Sequence, residues 1–170
     1  MILWIIGLSG CGKTTIGRKV YQSIKNNNPA TVLIDGDEIR KIFNHDGNSD
    51  AYKLEGRRIN SERIFQLCYW LDKQGIDVIC CILSIFPEHR KRNKEVFSNY
   101  KEVYLNASFD TLRARRPLYD EATSGKIKNV VGIDIDFPPP LESDLSFETD
   151  NKKITAQMIA ERIVLEINRK

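Results

Sequence analysis

The first residues that indicate chemistry form a glycine-rich motif near the start of the chain. They read Gly7-Leu8-Ser9-Gly10-Cys11-Gly12-Lys13-Thr14 and match the pattern G-x-x-x-x-G-K-[ST]. An apolar run over 1–6 precedes the motif and a helical pattern follows it, so main-chain N–H groups and the helix dipole are expected to hold phosphate oxygens. Lys13 is expected to reach the β- and γ-phosphates, and the Thr14 hydroxyl to bind Mg²⁺. The motif predicts a site for ATP or GTP rather than a merely flexible turn.

Two carboxylates, Asp35 and Asp37, follow the second predicted strand. Ligands of open α/β sheets bind at the carboxyl ends of the strands, so both side chains are expected near a phosphoryl acceptor. We predict that Asp37 accepts the proton of the attacking hydroxyl or joins the metal shell, while Asp35 supports the metal. The alternative is that Asp37 only caps the helix that follows it.

A second group of polar residues suits a phosphorylated nucleotide. Arg40 lies one helical turn beyond Asp37, and Arg57 and Asn60 are three residues apart just after Tyr52. Two guanidinium groups and an amide would bind phosphate oxygens, and the tyrosine ring would stack on a base. Because arginines are common on helix surfaces, this cluster alone is weak evidence.

Alternating strands and helices must position these residues. A helix is predicted from Thr14 to Lys25 because apolar residues recur there every four positions. The predicted strands cover 1–6, 31–34, 78–83, 103–105 and 145–147, and further helices cover about 54–73, a segment opening at Pro87, 109–115 and 153–168. Repeated βα units imply a parallel sheet of about five strands with helices on both faces.

The pattern breaks down between Pro117 and Pro140. Residues 118–128 are mostly polar with weak helical periodicity, and Pro138-Pro139-Pro140 favours an extended connection. A long stretch without clear structure in a compact domain is usually functional. We predict a mobile lid over about 116–140, the alternative being a disordered surface insertion.

Bulk properties exclude several classes of protein. The chain has 170 residues, which fits a single domain over 1–170, and its net charge of +3 gives no sign of a nucleic-acid or membrane surface. No apolar run reaches the roughly 18 residues of a membrane helix, and the apolar start lacks the features of a signal peptide. The four cysteines have neither metal-binding nor secreted-scaffold spacing, so a cytoplasmic setting is expected.

Taken together, these motifs resemble the adenylylsulfate kinases. That family carries G-L-S-G-x-G-K-[ST]-T, then D-G-D-N-[IV]-R, then an aromatic residue with arginine five and asparagine eight positions beyond it; here the second motif reads Asp35-Gly36-Asp37-Glu38-Ile39-Arg40. The resemblance covers nearly the whole chain. It implies a P-loop kinase that uses ATP and Mg²⁺ to phosphorylate the ribose 3′-hydroxyl of a nucleotide, and it implies a homodimer.

The departures from the family concern the acceptor. Val130 stands where a phenylalanine would complete an aromatic sandwich with Tyr52, and Asp120-Glu121 replaces a lysine pair of the lid. Valine does not stack on a purine. The pattern looks more like a branch of the family, the cytidine diphosphoramidate kinases, which serve capsule biosynthesis. Cytidine diphosphoramidate is therefore the expected acceptor, with adenylylsulfate as the alternative.

The expected site residues fall into three groups. The predicted catalytic residues are Asp37, Lys13 and Asp35, and the predicted metal ligands are Thr14 and Asp35. The ATP site takes in residues 7–14 together with Thr15 and Arg113. By the resemblance, the acceptor site comprises Asp37, Arg40, Tyr52, Arg57, Asn60, Ser84, Lys126, Val130 and Val131.

Other functions remain as alternatives. A regulatory GTPase would need D-x-x-G after a strand, but Asp72-Lys73-Gln74-Gly75 ends a helix, and Asn93-Lys94-Glu95-Val96 lacks the aspartate of the guanine motif. A nucleoside or shikimate-type kinase shares the layout, but Arg40 and Arg57 favour a phosphorylated acceptor. The basic run 113–116 is either a solvated helix end or a contact for ATP.

Overall fold

One parallel sheet organises the chain. The computed structural model describes residues 1–47, 49–151 and 153–168. Its strands are β1 (Ile2–Ile6), β2 (Thr31–Asp35), β3 (Asp77–Ile82), β4 (Tyr100–Asn106) and β5 (Leu145–Glu148). They lie in the order β2-β3-β1-β4-β5, and every paired neighbour is parallel. The predicted five-stranded parallel sheet is confirmed.

Helices cover both faces of this sheet, as predicted. In chain order they are α1 (Lys13–Lys25), α2 (Gly36–Ile42), α3 (Leu54–Lys73), α4 (Pro87–Val96), α5 (Phe109–Arg115), α6 (Leu118–Thr123) and α7 (Ala156–Ile167). A 3-10 turn, Ser49–Tyr52, precedes α3. Among the described helices, none has the length and apolarity to cross a bilayer.

The central strand β1 is buried on both sides. Leu3 and Ile5 belong to one apolar cluster with residues of α1 and α7, whereas Ile2, Trp4 and Ile6 belong to a second cluster that includes residues of α3. An apolar run without alternation is what a strand covered on both faces requires. The strand that leads into the glycine-rich motif is therefore held at the centre of the molecule.

Helix α1 packs very closely on the sheet. A Cβ atom added at Gly17 would lie 2.2 Å from the Cys81 Sγ atom of β3, which no real structure accommodates without movement. The glycine thus permits the short distance between α1 and the strand ends that the site needs.

The segment 117–140 is more ordered than the sequence suggests. Residues 118–123 form α6, and Tyr119 is completely buried, with its hydroxyl donating to the Ser9 carbonyl oxygen at 2.8 Å. Val131 packs with Ile85 in a small apolar cluster. The expectation of a stretch without clear structure is wrong for 118–123, which form α6, whereas 124–140 belong to no named helix or strand and a few inward side chains attach the segment to the rest of the molecule.

Candidate active site

The loop from β1 to α1 has the backbone of a phosphate cradle. Gly10 and Gly12 have φ angles of 87° and 95°, values that residues with side chains rarely adopt. At Gly7 (φ 148°), a Cβ atom would lie 2.2 Å from the Leu105 carbonyl oxygen. The loop ends directly at the N-terminus of α1, where free N–H groups and the helix dipole favour anions. Its shape therefore suits the phosphates of a nucleotide.

The two polar side chains of the motif point to different partners. The Lys13 ammonium donates to the main-chain oxygens of Gly7 and Leu8, both at 2.9 Å. The Thr14 hydroxyl donates to the Asp35 carboxylate at 2.6 Å. A hydroxyl and a carboxylate in contact are hard oxygen donors of the type that Mg²⁺ accepts alongside substrate phosphates. Thr14 and Asp35 thus fit the predicted metal site.

The capping role belongs to Asp35 and not to Asp37. The other carboxylate oxygen of Asp35 accepts a hydrogen bond from the Asp37 N–H at 3.0 Å, which makes Asp35 the N-cap of α2. The alternative that Asp37 acts as that cap is wrong. Asp37 lies in the first turn of α2 and its side chain lines the cavity, so it is available for chemistry.

A cavity of about 970 Å³ at the carboxyl ends of the strands brings most predicted residues together. Its lining includes thirteen of them: Ser9, Gly10, Gly12, Lys13, Thr14, Thr15, Asp35, Asp37, Arg40, Tyr52, Arg57, Val130 and Val131. Seven other predicted residues are not part of that lining: Gly7, Leu8, Cys11, Asn60, Ser84, Arg113 and Lys126. Residues predicted for the donor site and for the acceptor site thus share one cleft.

The side chains outside the lining have other partners. The Asn60 amide donates to the Gly36 carbonyl oxygen at 3.2 Å, and the Ser84 hydroxyl accepts from the Trp4 indole at 3.1 Å. Arg113 donates to the Thr123 hydroxyl at 3.1 Å, and the Lys126 ammonium lies 3.4 Å from the carboxylate of Glu121. The Asn60 contact reaches Gly36, which lines the cleft.

Two guanidinium groups lie near the Tyr52 ring, the aromatic side chain predicted for the acceptor site. Arg40 lies 4.9 Å and Arg57 5.8 Å from the Tyr52 ring centroid. Burial lowers the pKa of both arginines, and within the described residues neither forms an ion pair. Cations that are partly removed from water and lack a carboxylate partner favour an anionic ligand. Their arrangement suits the phosphates of a nucleotide that contacts Tyr52.

Further basic residues of the cleft were not among the predicted site residues. Arg115 donates to the carbonyl oxygens of Gly10 and Thr149 at 3.1 and 2.9 Å. The described lining contains seven basic side chains and two acidic ones: Lys13, Arg40, Lys41, Arg57, Arg115, Arg116 and Lys128 against Asp35 and Asp37. The basic run 113–116 was the available signal for two of them. A lining of this charge favours polyphosphate ligands.

The strand order, the glycine-rich loop and the basic cleft define a P-loop kinase. A solved structure of the Mycobacterium tuberculosis APS kinase, in complex with AMPPNP and APS, has this fold: its TM-score is 0.85 at 24% identity, covering 99% of this chain and 97% of that one.

A family model, adenylylsulphate kinase, matches residues 1–148, and the chain belongs to that family. Cytidine diphosphoramidate kinase of Campylobacter jejuni (strain NCTC 11168) is 34% identical over 96% of both chains. Adenylyl-sulfate kinase of Paraburkholderia xenovorans is 31% identical over 90% of this chain and 86% of its own length. The protein is an ATP-dependent phosphotransferase, as predicted, and the regulatory GTPase alternative has no support. Both expected acceptors are compatible with these relatives.

Proposed function

We propose that this kinase transfers the γ-phosphoryl group of ATP to the ribose 3′-hydroxyl of cytidine diphosphoramidate. One observation carries the choice of acceptor: Tyr52 is the single aromatic side chain in the described lining of the cleft, and Val130 contributes an aliphatic surface to the same lining. An aliphatic surface offers less to a purine than a second aromatic ring would. The similarity to a cytidine diphosphoramidate kinase supports this choice, and that to adenylyl-sulfate kinases supports adenylylsulfate as the second candidate.

The donor half of the cleft binds ATP. Main-chain N–H groups of the loop and the ammonium of Lys13 neutralise negative charge on the phosphate oxygens as the bond to the γ-phosphorus breaks. Thr14 and Asp35 would hold Mg²⁺, which supplies further positive charge to the phosphates when bound. Arg115 and Arg116 extend the basic lining of the same cleft.

The acceptor half orients the hydroxyl. Arg40 and Arg57 bind the acceptor phosphates and Tyr52 contacts the base. Asp37 accepts the proton of the 3′-hydroxyl while the hydroxyl oxygen forms a bond to the γ-phosphorus. The bond from that phosphorus to the bridging oxygen breaks, which releases ADP. Asp37 then returns its proton to solvent.

Two further properties follow from the same proposal. The segment 116–140 excludes water from the cleft during transfer, which limits loss of ATP by hydrolysis. We also expect a cytoplasmic homodimer, in keeping with the need for ATP and with the family resemblance.

A side-by-side assay tests the choice of acceptor. ADP release is measured in a coupled assay. Cytidine diphosphoramidate and adenylylsulfate are offered separately at matched concentrations. The expected result is a higher kcat/KM for cytidine diphosphoramidate and a product that carries a 3′-phosphate. A strong preference for adenylylsulfate would overturn the interpretation of Val130, and the absence of any ribose phosphorylation would overturn the proposed function as a whole.

A further inference from the structure

The segment that contributes Val130 to the cleft turns tightly around one carboxylate. The two oxygens of Asp134 accept hydrogen bonds from the main-chain N–H groups of Asn129 and Val130, the latter at 2.6 Å. The Val130 carbonyl oxygen in turn accepts from the N–H groups of Ile133, Asp134 and Ile135 at 3.1 to 3.2 Å. The peptide groups on both sides of Val130 are therefore fixed by hydrogen bonds.

This turn also holds the acceptor-side arginine. The Arg57 Nη2 group donates to the Asn129 carbonyl oxygen at 2.8 Å, while its Nε group donates to the Tyr52 carbonyl oxygen at the same distance. Asn129 has a φ angle of 65°, in the left-handed region that asparagine tolerates better than most residues. The carbonyl that receives Arg57 thus comes from a residue in an uncommon conformation, which the contacts of Asp134 stabilise.

The consequence is a connection between two walls of the cleft. Arg57 reaches from α3 to the turn, and the same turn presents Val130. A guanidinium group held at two points loses less conformational entropy when a ligand binds than a freely rotating one. The hydrogen bonds to Asp134 therefore prepare both Arg57 and Val130 for the acceptor, although Asp134 is not part of the described cavity lining.

We propose that Asp134 is a positioning residue for the acceptor: its carboxylate holds the main chain of Asn129 and Val130 so that Arg57 is fixed and Val130 faces the cleft. The assignment rests on the proposed function, since Arg57 and Val130 contact the acceptor there. Asp134 itself is exposed to solvent, so replacing it removes hydrogen bonds without opening a cavity in the core.

The substitution Asp134→Asn tests this role, with Asp136→Asn as the matched control. Asp136 is also an exposed carboxylate of the same segment, two positions further on. An asparagine leaves one oxygen acceptor and turns an NH₂ group towards a main-chain N–H, so the turn loosens. We expect the KM for cytidine diphosphoramidate to rise about tenfold, a typical effect of losing a hydrogen bond to a charged group. The Kd for ATP, measured by calorimetry, should change less than about twofold.

A double variant identifies the route of the effect. If Asp134 acts through Arg57, then Asp134→Asn should raise the KM for cytidine diphosphoramidate by a much smaller factor in an Arg57→Lys background than in the wild type. Full additivity of the two effects would contradict that route. An unchanged acceptor KM in Asp134→Asn, or an equal loss of ATP affinity, would overturn the proposal.

Hydrogen exchange separates this proposal from the proposed function. In Asp134→Asn, peptides that contain residues 129 and 130 should exchange their amide protons faster than in the wild type and in Asp136→Asn. This readout needs no acceptor. If the wild type phosphorylates neither nucleotide but exchange accelerates, the proposed function fails while the role of Asp134 in fixing the turn stands; unchanged exchange would refute that role directly.

Discussion

The substitution Val130→Phe should move the enzyme's preference towards a purine acceptor. Val130 is 8% exposed and lines the cleft that contains Tyr52, so a phenylalanine there would add a second aromatic ring to the acceptor side. Stacking of a base on an aromatic side chain contributes roughly 1 to 3 kcal/mol, which corresponds to roughly 5- to 150-fold in affinity. The larger ring system of adenine gains more from a second aromatic surface than cytosine does.

The quantity to measure is a ratio of specificity constants. We expect kcat/KM for adenylylsulfate, divided by kcat/KM for cytidine diphosphoramidate, to rise at least about fivefold in Val130→Phe. The substitution Ile133→Phe is the control, because Ile133 lies in the same turn but is 36% exposed and outside the described cavity lining. That variant should keep the wild-type ratio.

Two results would refute this reasoning. A ratio that does not change in Val130→Phe, with a melting temperature close to that of the wild type, would show that position 130 does not contact the base. A ratio that rises equally in Ile133→Phe would show that the effect does not come from the cleft. In either case the choice of acceptor would lose the observation on which it depends.

Three other predictions concern the chemistry and the pH dependence of stability. Asp37→Asn should lower kcat by about 10²- to 10⁴-fold, the usual contribution of a general base, while the Kd for ATP changes much less; an unchanged kcat removes Asp37 from proton transfer. Lys13→Ala should abolish turnover with either acceptor, whereas Lys19→Ala, a half-buried cation of the same helix that donates to the Gln157 side chain, should retain it in the same coupled assay. Burial raises the pKa of Glu102 above its ordinary value of 4.5, so its contribution to stability is present below that pH and is lost as the pH rises through the raised value. The free energy of unfolding of Glu102→Gln, measured with urea, should therefore rise relative to that of the wild type as the pH increases from acid to neutral. A difference between the two proteins that is constant with pH would contradict this.

Local sequence information predicted the strand, loop and helix of the glycine-rich motif well. The glycine-rich motif carries its own geometry, because the strand, the loop and the helix are continuous in the chain. The parallel sheet was equally predictable from the sequence, since strands buried on both faces have unbroken apolar runs such as 1–6.

Helix α6 could not be predicted with the same ease. It has six residues, and short helices owe their stability to tertiary packing and not to intrinsic propensity. Its packing depends on Tyr119 and Ala122, which contact the main core cluster. Two inward residues in a mostly polar run give little periodic signal.

The direction of individual side chains also could not be predicted from the sequence. Asn60 stands three residues after Arg57, a spacing that suggests a common face. In the structure Arg57 lines the cleft, whereas the Asn60 amide turns to the Gly36 carbonyl oxygen at the start of α2. Similarly, the sequence offered Asp37 as a cap for α2, but the extended backbone of Asp35 fills that position.

The hydrogen bond from Tyr119 to the Ser9 carbonyl oxygen has a mechanical consequence. Helix α6 cannot leave the sheet without breaking a bond at the phosphate loop, and Val131 is pinned at the far end by its contact with Ile85. Between Ala122 and Val130, all of which the structure describes, no side chain is buried. If the cleft opens and closes, the exposed residues 123–126 are the part that moves between these two fixed ends. Nucleotide exchange on the acceptor side would then leave the donor loop undisturbed.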